Sequence, residues 1–158
     1  MTYPNPDVAA FIAEHFVPTR IMLHEAKGQA LFRAHRVLWT PTVAVFDRRA
    51  ALHYQSPGYL PPPLFLQMLH IGLARALMAW AGYERAAVLL GVVGDDAASA
   101  LAPEALYWQG AALYLQHRRR APMMAVWNRL RERHPASVWA ARIPPSDLDS
   151  STVNPADD

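Results

Sequence analysis

A chain of 158 residues, 53% hydrophobic and 18% charged, has the length of one ordinary domain or two small ones and enough apolar content for a real core. It contains no cysteine, which excludes disulfide scaffolds, thiolate metal sites, iron–sulfur clusters and cysteine nucleophiles. All fifteen Lys and Arg residues lie in residues 1–143, a mildly basic body short of the dense patches of a nucleic-acid binder; residues 144–158 carry only acids, Asp147, Asp149, Asp157 and Asp158. The start, MTYPNPDVAAF, has neither the basic nor the apolar region of a signal peptide. No apolar stretch reaches the ~18 residues of a membrane span. A soluble cytoplasmic protein without membrane association is the expectation.

Asp7, following Pro6, is placed to cap a helix over residues 7–16, with Val8, Phe11, Ile12 and Phe16 at helical spacing. Pro18 ends it. Residues 19–23 then read as a short strand, with Ile21 and Leu23 facing one way. Residues 26–37 read as a helix with Leu31 and Phe32 as its buried pair. The β-branched and aromatic run from Trp39 through Thr40, Pro41 and Val43 to Asp47 predicts a buried strand, and residues 51–55 its hairpin partner.

Beyond Gly58 the pattern is helical. Pro61-Pro62-Pro63 leads a long amphipathic segment over 62–81, marked by Leu64, Met68, Leu69, Leu73, Leu77 and Trp80 and broken at Gly82. A helix from Tyr83 to Val93 follows, then the turn Gly94-Asp95-Asp96 and a short stretch of helix between Ala97 and Ala102. Pro103-Glu104 opens a helix to Gln116; His117-Arg118-Arg119-Arg120 is the connector to its antiparallel partner, Pro122 to Arg133. Pro135 stops that helix, residues 137–142 add a turn, and the acidic tail lacks periodicity and is expected to be disordered.

From residue 7 to about residue 80 the order of elements resembles the thioredoxin fold from its second helix onward, on the strand after Phe16-Val17-Pro18, the helix ending at Val37, the Trp39-Thr40-Pro41-Thr42 strand entry, the hairpin and Gly58. The resemblance implies a cis bond between Thr40 and Pro41 and a backbone there that pairs with extended peptides. It also marks a departure: Met1 falls where the residues just after the CxxC motif belong, so the central strand and both cysteines are missing. Thiol–disulfide exchange needs a thiolate that this chain does not have. In the second half, Tyr107, Gly110, Ala111, Tyr114, Met123, Trp127, Leu130 and Pro135 fall at the signature spacing of tetratricopeptide repeats, with a weaker copy at Ala74, Leu77, Ala86 and Leu90. The whole is similar to bacterial thioredoxin-like proteins with a tetratricopeptide-type extension.

The expected fold is therefore α/β followed by α. A truncated thioredoxin-like half with a two- or three-stranded mixed sheet occupies residues 1–70. Tetratricopeptide-like hairpins occupy 71–143 and share the long helix 62–81, and 144–158 form the tail. The leading function is a non-catalytic protein- or peptide-interaction module whose partner is unidentified. Trp39, Thr40 and Pro41 are its candidate peptide contacts. Trp108 and Trp139, off the repeat-core pattern, are candidates for an exposed or interfacial face. Arg118, Arg119 and Arg120 can engage an anion or an acidic partner, this protein's own tail included, or simply form a solvated loop. An unpaired sheet edge, on residues 19–23 or the surface left by the missing strand, points to a homodimer; the compact alternative pairs residues 19–23 with 43–46.

His15, His24, His35, His53, His70, His117 and His134 show no metal-ligand spacing, and no Gly-rich phosphate loop or GxSxG nucleophile motif occurs, so no metal or cofactor is implied. The alternatives are a glutathione-transferase-like binder or enzyme, and a fragment of a thioredoxin-family oxidoreductase whose CxxC segment lies upstream of Met1.

Overall fold

The computed structural model describes residues 5–145. Among them the chain forms six α-helices, one two-stranded sheet and a terminal 3-10 turn, a mixed α/β protein that is mostly helical. Helix α1 (Pro6–His15) is capped two residues earlier than Asp7: the Asn5 side chain accepts from the backbone N–H of Asp7 at 3.1 Å and of Val8 at 3.2 Å. Asp7 sits inside the first turn, where its charge suits the helix dipole. Val8 is buried against Phe65, Met68 and Leu69.

Residues 19–23 are not a strand. Ile21 and Leu23 are exposed, and no ladder partner reaches them. Two alternating apolar residues behind a proline do not make a strand without a neighbouring edge, and among the described residues no strand pairs with this stretch. Helix α2 (Ala26–Ala34) ends before Val37, because Arg36 takes a left-handed conformation (φ 51°) and the Val37 N–H turns back to the Phe32 carbonyl at 2.8 Å. Leu31 is exposed and only Phe32 is half-buried; Gly28, the buried residue of α2, lies against the carbonyl of Met22. This helix thus packs on its own flanking segment.

Strands β1 (Thr42–Phe46) and β2 (Leu52–Pro57) pair antiparallel, with Val45 opposite Tyr54 and an irregularity between Val45 and Phe46. The sheet is therefore neither three-stranded nor mixed among the described residues, and β1 does not pair with residues 19–23. Trp39 to Pro41 lie outside the ladder. The Thr40–Pro41 bond is cis, and the Pro41 carbonyl accepts from the Gly58 N–H at 2.7 Å.

Helix α3 (Pro62–Ala79) crosses the sheet at Gly72, where an added Cβ would stand 2.7 Å from Val45 Cγ2; only hydrogen there lets helix and sheet close. Its other side packs against α4 (Tyr83–Gly94), which packs on α5 (Ala102–His117), which packs on α6 (Arg120–Arg133). The stretch between Ala97 and Ala102 is turns, not helix. Asp96 and Ser99 there accept backbone N–H bonds, and Gln67 of α3 ties both side chains together. The basic connector is shorter than expected: His117 ends α5, Arg120 opens α6, and Arg118 turns the chain in the left-handed region. Two residues between helices impose antiparallel neighbours. A 3-10 turn at Ala140–Arg142 closes the described chain, and the tail from residue 146 lies outside the described residues.

Candidate peptide-docking cleft

At the end of α2 the helix and the loop into β1 enclose an open cleft of about 660 Å³. Leu23, Phe32, Val37 and Leu38 give it an apolar lining, and Gln29, Arg33 and Arg36 supply its polar groups. Trp39 and Thr40 complete it. The geometry follows from local rules. The left-handed Arg36 stops α2 and turns the chain, while the Thr42 hydroxyl donates to the Trp39 carbonyl at 2.6 Å and holds the loop against the start of β1. Trp39 is left 70% exposed and Leu38 93% exposed, a surface normally covered by something.

Of the residues singled out in the sequence, Trp39 and Thr40 line this cleft and Pro41 follows them at the surface. Trp108 and Trp139 do not line it. They are half-buried and stand edge to face, 6.3 Å apart, both against Tyr107, with Arg142 4.3 Å above the Trp139 ring. Arg118, Arg119 and Arg120 are exposed where α5 meets α6, also outside the cleft. Sequence reasoning missed Arg33 and Arg36. The available signal was two cations three residues apart at a helix end, with Trp39 three residues beyond the second.

Two polar clusters hold the hairpin to the helices. At its turn, Asp47 accepts from the backbone N–H of Arg49 and Ala51 and from Trp80 Nε1 at 3.0 Å, with His53 Nε2 3.1 Å away. These donors, led by the Ala51 N–H, hold the Asp47 carboxyl well below the usual carboxylate range. Arg48 and Arg49 both lie over the Trp80 ring, at 4.2 and 4.4 Å. At the centre of the hairpin, the Tyr54 hydroxyl donates to Glu104 Oε2 at 3.0 Å, and Arg75 lies over the rings of both Tyr54 and Trp108. Burial pushes the Glu104 carboxyl above its ordinary value, offset in part by the Tyr54 hydroxyl, Arg75, Trp108 and Arg142. Neither cluster opens onto the cleft, and each is occupied with joining elements: β2 to α5 in one case, the hairpin turn to the end of α3 in the other.

Among the described residues no group of three or more His, Cys, Asp or Glu side chains converges as a metal-binding set, and no helix is long and apolar enough to cross a membrane. No protein-family model, curated protein or solved structure significantly matches the chain.

Proposed function

We propose that the chain is a non-catalytic protein- or peptide-interaction module, a thioredoxin-like half joined to tetratricopeptide-like helical hairpins, that docks its partner in the cleft beside Trp39 and Thr40. The observation that carries this reading is Trp39 itself, a large aromatic left 70% exposed on the rim of a preformed apolar cleft. Exposed aromatics beside a hollow are the usual anchors of an interface. The absence of any cysteine removes the thiol chemistry that the resemblance would otherwise suggest.

Trp39→Ala is expected to weaken binding of a captured extended peptide by more than about tenfold, as loss of a central aromatic anchor does. Fluorescence anisotropy with a panel of labelled extended peptides measures this. Equal affinity of variant and wild type overturns the reading, as does a panel with no binder.

Self-association belongs to the same proposal. Among the described residues β1 and β2 pair only with each other, so each strand has an outer edge without a partner strand. A dimer mass in light scattering is the expected result, and a monomer at high protein concentration sinks the homodimer.

A further inference from the structure

Resting on that reading, we infer that the cleft selects an acidic peptide, one carrying carboxylates beside an apolar side chain. Its lining includes two arginines and no Asp or Glu. Neither Arg33 nor Arg36 has an anionic partner among the described residues, although Asp47, Asp95 and Glu104 are each engaged by a donor or cation elsewhere. The surrounding residues 16–41 carry four cations, Arg20, Lys27, Arg33 and Arg36, against the single anion Glu25. Cations kept unpaired around an apolar hollow attract carboxylates by field, and the guanidinium fork can take a carboxylate in two parallel hydrogen bonds. Leu23, Phe32 and Trp39 offer the apolar contact that fixes such a segment in place. A single exposed indole gives no run of stacking platforms for successive bases, which favours peptide over single-stranded nucleic acid.

Arg36 makes the inference testable without unfolding the protein. Its φ of 51° is a conformation that glycine adopts at no steric cost, so Arg36→Gly deletes the charge while relaxing the helix end. The probe is a labelled synthetic dodecapeptide of aspartates around a Leu-Phe pair, compared with its serine and lysine counterparts. An unlabelled uridine oligonucleotide and a peptide with the sequence of residues 146–158 complete the set. The 158-residue chain is expected to bind the aspartate peptide about tenfold more tightly than the serine one, with a preference that fades as salt rises. Arg36→Gly and Arg33→Gln should each erode that preference, with Arg36→Gly melting no lower than wild type.

Equal affinity for the aspartate and serine peptides overturns the acidic selectivity. If Trp39→Ala still weakens both peptides, the interaction module survives that result; if no peptide binds, both readings fall. Tighter binding of the oligonucleotide overturns the peptide partner in favour of nucleic acid. Tighter binding of the 146–158 peptide than of the designed one makes the chain's own tail the occupant and overturns a foreign partner.

Discussion

Gly110→Val is expected to lower the unfolding free energy by about 3 kcal/mol, at the upper end of what overpacking a close contact costs. Gly110 is buried in α5, and a Cβ placed there would stand 2.4 Å from Trp127 Nε1 and 2.5 Å from its Cδ1. The indole cannot simply swing away. It stacks on Tyr107 with ring centres 5.4 Å apart, and its N–H donates to the Tyr107 carbonyl at 3.0 Å. Moving it forfeits that hydrogen bond, worth about 1 kcal/mol, and the packing of α6 on α5 with it. Gly110→Ala gains about 1 kcal/mol of helix propensity against the same clash, so it should lose less than valine. Urea unfolding of the two variants gives the order. If Gly110→Ala proves as stable as wild type, Trp127 is free to relocate and the interface is looser than its geometry indicates. Combining Gly110→Ala with Trp127→Leu should recover part of the loss by restoring room.

Tyr54→Phe should cost about 2 kcal/mol, because it removes the hydroxyl that donates to a half-buried carboxylate and leaves Glu104 with one donor fewer. The same pair sets a pH dependence whose sign follows from burial. The folded protein holds the Glu104 proton more tightly than the ordinary carboxylate value of 4.5. Folding is therefore favoured most below that value, and the contribution is lost as pH rises through it toward the folded one. Glu104→Gln keeps an acceptor for Tyr54 and has no proton to lose. The difference in stability between Glu104→Gln and wild type should accordingly grow from pH 4 to pH 7 in the variant's favour. A difference that stays constant over that range shows that Glu104 is as well solvated folded as unfolded. Tyr54 remains a donor throughout, since burial and Glu104 both push its hydroxyl upward.

The helical part was legible because proline and glycine punctuate it. Pro61 to Pro63, Gly82, the Gly94-Asp95-Asp96 turn, Pro103 and Pro135 bracket α3 to α6 to within two residues or so. The N-terminal part was less so, for a physical reason. A strand exists only with a neighbour, and nothing local in residues 19–23 reveals that no edge comes to meet them. Helix α2 has the spacing of an amphipathic helix, yet no other element covers Leu31, so periodicity announced a burial that does not happen. Trp39, singled out for its place at the strand entry, lines the cleft. Trp108 and Trp139, off the repeat-core pattern, stand half-buried against Tyr107, because the repeat pattern describes one hairpin and not the turn after α6 that folds Trp139 back onto α5. The Tyr54–Glu104 bond joins residues fifty positions apart and leaves no trace in local sequence.

The successive packing of α3 on α4, α4 on α5 and α5 on α6 has a consequence for how the molecule distributes its cohesion. Among the described residues its apolar interior is three adjoining clusters rather than one, with α3 contributing to two of them and α5 to two. Such an array is held chiefly by couplings between neighbouring helices, with Tyr54–Glu104 and Arg75 over Trp108 also tying the hairpin and α3 to α5. A lesion at the α5–α6 contact loosens the far end of the row, while the cleft beside Trp39 lies beyond the opposite end, off the row altogether. Substitutions in the two places should therefore combine by simple addition. On the proposed docking role, sequence change at the cleft would retune binding without eroding the scaffold, and the scaffold would drift without altering binding.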